Sequence, residues 1–181
     1  DIEMPRMDGI SFLRRLMSFR PIPVVMISSY TKANSLKTLE ALEAGAIDFI
    51  TKPSRDIATK LPELHDEITS KIRAAAGAMV FPPVQLAAPP RKEMIDCPPL
   101  RRNIIAIGSS IGGTRTIQDI LSRMNYRVRG IVIAQHMAAR YTEAFAQRLD
   151  TMIPFEVSEA RHFDRIENGR GLIAPGGKNM R

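Results

Sequence analysis

The sequence predicts an α/β protein built on parallel sheet and divided into two parts. Three observations carry this. Short apolar runs alternate with stretches of helical periodicity in both halves of the chain. The run Ile104-Ile105-Ala106-Ile107 leads straight into Gly108-Ser109-Ser110-Ile111-Gly112-Gly113, a strand-to-helix turn signal. Between the halves, Pro82-Pro83, Pro89-Pro90 and Pro98-Pro99 break the rhythm, as expected of a semi-extended linker. No internal repeat is visible.

Taken in order, Ile10, Phe12, Leu13, Leu16 and Met17 set a helix over 10–19, stopped by Pro21 and Pro23. Val24-Val25-Met26-Ile27 reads as a short buried strand ending in Ser28-Ser29. Leu36 to Ala44 is helical, with Gly45 as its C-terminal cap. Ile47 to Thr51 is a strand closed by Lys52-Pro53. Leu61 to Ala76 is an amphipathic helix with Leu61, Leu64, Ile68 and Ile72 on one face. The first part therefore covers 1–77, the linker 78–102 and the second part 103–181. In the second part a buried strand at 104–107 precedes a helix at 114–124. A strand at 131–134 runs into Gln135-His136-Met137, followed by a helix at 141–149 and a strand near Phe155–Val157. Gly171-Leu172-Ile173-Ala174 is a last strand, entering a turn at Pro175-Gly176-Gly177.

Composition excludes several classes. The net charge of +7 suggests an acidic partner, yet the basic residues are scattered and tryptophan is absent from the 181 residues. Little is left to stack on bases, so direct nucleic-acid binding is disfavoured. No apolar run is long enough to span a bilayer, and an integral membrane protein is not expected. The start lacks the basic-then-apolar pattern of a signal peptide. The single cysteine, Cys97, cannot form an internal disulfide. A cytoplasmic location fits these features. The chain begins inside a motif without a methionine, and it is read as a fragment of a longer protein.

In an open parallel sheet, chemistry collects at the carboxyl ends of the strands. Asp1, Ser28 and Lys52 mark such ends in the first part. A carboxylate nucleophile, a hydroxyl donor and an ammonium suit phosphoryl transfer, with a divalent cation bringing the two anions together. Asp1-Ile2-Glu3-Met4-Pro5-Arg6-Met7-Asp8-Gly9, Ile27-Ser28-Ser29 and Asp48-Phe49-Ile50-Thr51-Lys52-Pro53 resemble the motifs of a two-component receiver domain without its first two strands. The resemblance implies a truncated flavodoxin-like fold. It makes Asp1 the phosphoacceptor, Ser28 the switch hydroxyl, Lys52 the phosphate-binding lysine and Phe49 the aromatic switch. It also implies Mg²⁺ held by Asp1 and the Glu3 carbonyl, with an acidic pair upstream, and a cis Lys52–Pro53 bond.

In the second part Ser110 needs a base. Of three histidines, His65 falls in a helix and His162 in a charged loop, whereas His136 follows a buried-strand pattern. Adjacent parallel strands would bring Ser110 and His136 to one sheet edge. A nucleotide-binding turn fits poorly, since neither G-x-G-x-x-G nor a following Gly-Lys-Ser/Thr is present. An α/β-hydrolase is disfavoured because its histidine comes last.

Ile105-Ala106-Ile107-Gly108-Ser109-Ser110-Ile111-Gly112-Gly113-Thr114, Ile131-Val132-Ile133-Ala134-Gln135-His136-Met137 and Leu172-Ile173-Ala174-Pro175-Gly176-Gly177 resemble the catalytic domain of the chemotaxis protein-glutamate methylesterase family. The resemblance implies the N-terminal part of a doubly wound, Rossmann-like serine esterase domain. Ser110 would be the nucleophile and His136 the base, with no cofactor for hydrolysis and a triad aspartate beyond Arg181. The implied partners are methylated chemoreceptors and a chemotaxis histidine kinase, and the implied reactions are demethylation of receptor glutamates and deamidation of certain glutamines. In that family the unphosphorylated receiver covers the active site. Ile111, Ala138-Ala139 and Asn179 depart from the family pattern without touching Ser110 or His136. The alternative reading is a response regulator with a DNA-binding or scaffolding output.

Overall fold

The computed structural model describes residues 1–29, 32–53, 57–80, 104–124 and 128–181. The chain forms two compact units, Asp1–Gln85 and Leu86–Arg181. Most of the expected linker lies outside the described residues, as does Cys97.

In the first unit, α1 spans Gly9–Phe19. It starts where it does because Asp8 caps it: Asp8 Oδ1 accepts from the amides of Ile10 and Ser11, and the Ser11 hydroxyl donates to Oδ2 at 2.7 Å. Ile10, Leu13 and Met17 form its buried face. Gly9 is required by close approach. Its amide donates to the Ile2 carbonyl, and a Cβ there would overlap the Asp1 carbonyl. Strands β1 (Val25–Ser29) and β2 (Asp48–Lys52) pair in parallel, with Ser28 opposite Thr51 and Ser29 opposite Lys52. Between them α2 (Lys32–Glu43) buries Leu39, Ala41 and Leu42.

Helix α3 (Ile57–Ala76) begins ahead of the expected Leu61 and runs on through Pro62. Its packed face differs from the expected one. Ile72 is 53% exposed, whereas Leu64, Ile68 and Lys71 are half-buried and Ala75 is buried. Positions 64, 68, 71 and 75 share one helical face, so the seam passes through Lys71. The ammonium makes this possible by donating to the Phe49 carbonyl and pairing with Asp48 at 3.4 Å and Glu67 at 3.0 Å, while its stem covers apolar surface. The Lys52–Pro53 bond is trans, against the expected cis form. Trans is the intrinsically favoured isomer by about 0.5–1 kcal/mol, and Lys52 reaches its partner from that backbone.

The second unit is a four-stranded parallel sheet in the order β3-β4-β6-β5, with β3 Ile105–Ser109, β4 Ile131–Gln135, β5 Glu156–Glu159 and β6 Arg170–Ile173. Helices α4 (Gly113–Ser122) and α5 (Ala139–Met152) supply Ile117, Leu121, Tyr141, Phe145 and Leu149 to a core with Ile131, Ile133 and Ile173. The sequence predicts β3 as a buried strand, but Ile105 and Ile107 are half-buried and Ala106 and Gly108 exposed. The reason is position: among the described residues β3 is an edge strand, paired only with β4. Gly108 also lies inside β3, opposite Ala134, so the turn begins only after Ser109.

Two outcomes test this packing. Hydrogen bonds from the Ser11 hydroxyl and then the Ser11 amide hold the Asp8 carboxyl below its ordinary range. A depressed folded-state pKa stabilises above the unfolded value and is lost as pH falls through the folded one. The melting temperature of the wild type should therefore exceed that of Asp8→Asn most clearly above about pH 4, with the gap closing in acid. Ile133→Ala, at a fully buried strand position, is expected to cost about 2–5 kcal/mol in urea unfolding.

Candidate active site

The first unit brings Asp1 and Lys52 together. Lys52 Nζ lies 2.6 Å from Asp1 Oδ2, and Asp1 Oδ1 accepts from the Ile2 amide at 2.8 Å. Ser28 is buried at the end of β1, its hydroxyl donating to the Ser29 carbonyl at 3.3 Å. Phe49 does not join the pair. It stands an odd number of residues from Lys52 on β2, hence on the opposite face, buried with the Lys71 ammonium 5.1 Å from its ring centre. The Glu3 carboxylate pairs with Lys37 at 3.2 Å. No three acidic, imidazole or thiol groups converge as a metal site among the described residues, and Lys52 takes one of the Asp1 oxygens. These residues alone do not fit Mg²⁺.

In the second unit the site is a product of strand register. Ser109 stands opposite Gln135 in the β3–β4 ladder, and the His136 amide extends the ladder by donating to the Ser109 carbonyl at 2.8 Å. Ser110 and His136 therefore leave the sheet side by side. Ser110 Oγ lies 3.3 Å from His136 Nδ1, and both residues are exposed. The chain turns at once into α4, with the Gly113 amide donating to the Ser110 carbonyl at 2.8 Å. His65 pairs with Asp66 at 3.2 Å, and His162 packs on Phe163 with ring centres 4.0 Å apart. Asp150 accepts from the Val157 amide and Asp164 from the Arg161 amide. Among the described residues no carboxylate bonds to the His136 ring.

The sequence did not single out Gln135 or Thr142. Gln135 is 8% exposed; its Nε2 donates to the carbonyls of Ser110 at 2.8 Å and His136 at 3.2 Å, and its Oε1 accepts from the Ser109 hydroxyl. Thr142, fully buried on α5, donates to Glu159 and accepts from the Gly176 amide at 3.2 Å. This fastens the turn after β6 beside the segment that follows His136. Neither residue ionises or attacks in this arrangement, so the usual signs of a functional position are missing.

Both units have parallel α/β architecture, one with an aspartate–lysine pair and the other with a serine–histidine pair at the strand ends. The profile described as "Response regulator receiver domain" matches residues 1–62, and that described as "CheB methylesterase" matches 105–181. The chain thus carries a receiver domain followed by a CheB methylesterase domain. A protein-glutamate methylesterase/protein-glutamine glutaminase of Syntrophotalea carbinolica is 44% identical over all of this chain and 53% of its own length. One from Albidiferax ferrireducens is 46% identical over all of this chain and 52% of its own. The chain thus spans about half the length of the curated relatives it matches. The crystal structure of the Thermotoga maritima CheB methylesterase catalytic domain is 36% identical over 40% of this chain and 39% of that one, with a TM-score of 0.39. No helix among the described residues is long and apolar enough to cross a membrane.

The tight approach of α4 to β4 gives a prediction. A Cβ at Gly113 would lie 2.5 Å from Gln135 Oε1 and 2.7 Å from Ser109 Cβ. Gly113→Ala should therefore cost about 1–3 kcal/mol by overpacking, read from denaturant unfolding.

Proposed function

We propose that this chain carries the switch and the nucleophile of a phosphorylation-regulated protein-glutamate methylesterase that also deamidates glutamine. The observation that carries the reading is the 3.3 Å approach of Ser110 Oγ to His136 Nδ1 at the carboxyl end of adjacent parallel strands. Ser110 Oγ attacks the γ-ester carbonyl while its proton passes to Nδ1. The tetrahedral intermediate collapses, His136 returns the proton to the departing methoxide, and methanol leaves. A water then gives its proton to His136 and its oxygen to the acyl carbon, freeing the glutamate and restoring Ser110. On a glutamine the same route releases ammonia. The start of α4 brings main-chain N–H groups and the positive end of a helix dipole to the turn, which supports oxyanion stabilisation there.

Asp1 is the phosphoacceptor on this reading, with Lys52 as its charge partner and Ser28 as the switch hydroxyl. The substrates are methylated chemoreceptors, the phosphodonor a chemotaxis kinase and the setting the cytoplasm. Names of curated relatives support the methylesterase and glutaminase chemistry, and the receiver profile supports phosphorylation of the first unit.

Methanol release from methylated chemoreceptor membranes tests the reading. The intact gene product should release it, and Ser110→Ala or His136→Ala should cut the rate at least about 10³-fold. Equal release by Ser110→Ala, or none from the phosphorylated wild type, would overturn it; salt-sensitive binding to a specific duplex would then favour a DNA-binding output. Asp1→Asn should leave basal release intact and abolish activation by a phosphodonor. The isolated 181-residue segment is expected to turn over about 10²–10⁴-fold more slowly than the intact protein, because no carboxylate orients His136 among its described residues.

A further inference from the structure

We propose that Gln135 is a positioning residue that sets the distance between Ser110 and His136. The inference rests on the reading of Ser110 as nucleophile and goes beyond it. Ser110 and His136 sit on separate turns, at the ends of different strands, and both are exposed. Their side-chain contact, at 3.3 Å, is long for a hydroxyl donating to nitrogen. That contact alone cannot fix two exposed side chains. Something beneath them must.

Gln135 is that support. It ends β4 beside His136 and directly across from Ser109. Its buried amide ties the main chain of both turns, with Nε2 donating to the Ser110 and His136 carbonyls and Oε1 accepting from Ser109 Oγ. Only an –NH₂ group serves two carbonyls while its own oxygen faces a hydroxyl, so the chemistry selects a primary amide. A carboxylate would repel both carbonyls, and an aliphatic side chain would take this partner from the His136 carbonyl and the Ser109 hydroxyl and leave the Ser110 carbonyl with the Gly113 amide alone. Gly113 completes the arrangement, since a Cβ there would lie 2.5 Å from Oε1 and push the amide off its partners. Displacing reacting atoms by about 1 Å costs on the order of 10²-fold in rate, so a residue without chemistry of its own can control the rate here.

The experiment is made on the intact protein with a fluorophosphonate, which reports serine activation without a receptor substrate, beside steady-state methanol release. The rate of labelling is compared for wild type, Gln135→Leu and Gln135→Glu, with Ser110→Ala as the blank. Folding is followed by melting temperature. Both variants should label at least tenfold more slowly than wild type, and kcat should fall by the same factor while KM stays within twofold, because the substrate surface is untouched. If Gln135→Leu fails to fold, Gln135→Glu, which keeps the volume and the Ser109 bond, decides alone. A folded variant that labels at the wild-type rate, or one whose loss lies wholly in KM, overturns the proposal. A wild type that labels no faster than Ser110→Ala overturns the nucleophile reading itself, and this inference with it.

Discussion

The parallel pairing of β3 with β4 is the constraint on which the second unit depends. In an antiparallel pair the chain would leave the two strands at opposite ends, and Ser110 would never meet His136. Parallel pairing sends both turns out together, and the register of Ser109 with Gln135 sets which residues emerge level. A slip of one residue would turn every β4 side chain to the other face, exposing Ile131 and Ile133, which are fully buried. The core thus enforces the register, and the register delivers the site.

The first unit obeys the same rule with different chemistry. Its polar residues also collect where β1 and β2 end, but the contact there is ionic. Lys52 and Asp1 are both substantially exposed, so their attraction is screened by water and adds little to stability. Its value is geometric: it holds an ammonium on the carboxylate at 2.6 Å. Gly9 matters for the same reason, because only a residue without a side chain lets α1 start against the Asp1 carbonyl. Lys71 does for the back of β2 what Lys52 does for its end, closing the strand onto α3 through the Phe49 carbonyl.

Much of this was legible in the sequence because apolar periodicity and strand-end motifs are local signals. The alternation of strands and helices, the separation into two parts and the juxtaposition of Ser110 with His136 all follow from short stretches read in order. What was not legible depends on partners distant in sequence. Ile72 has the right periodicity for a core face, but Lys71 found three polar partners and took that place. The apolar run of β3 looks the same at a sheet edge as at its centre, since exposure is decided by strand order and not by composition. Gln135 carries no charge and no nucleophile, and its contacts are 25 residues away at Ser110. One available sign was Gly113 at the opening of a helix, where a glycine suggests that another group lies close against the backbone.

The double engagement of the Ser110 carbonyl has a consequence for the peptide plane that follows it. That oxygen receives the Gly113 amide and the Gln135 side chain at 2.8 Å each, using both of its lone pairs. The plane between Ser110 and Ile111 is trans, so its carbonyl and its N–H point in opposite directions. Anchoring the carbonyl inward therefore aims the Ile111 N–H outward. Rotating the plane would break two hydrogen bonds, at a net cost of about 1–3 kcal/mol. The polarity of the surface beside Ser110 is thus fixed before any substrate arrives.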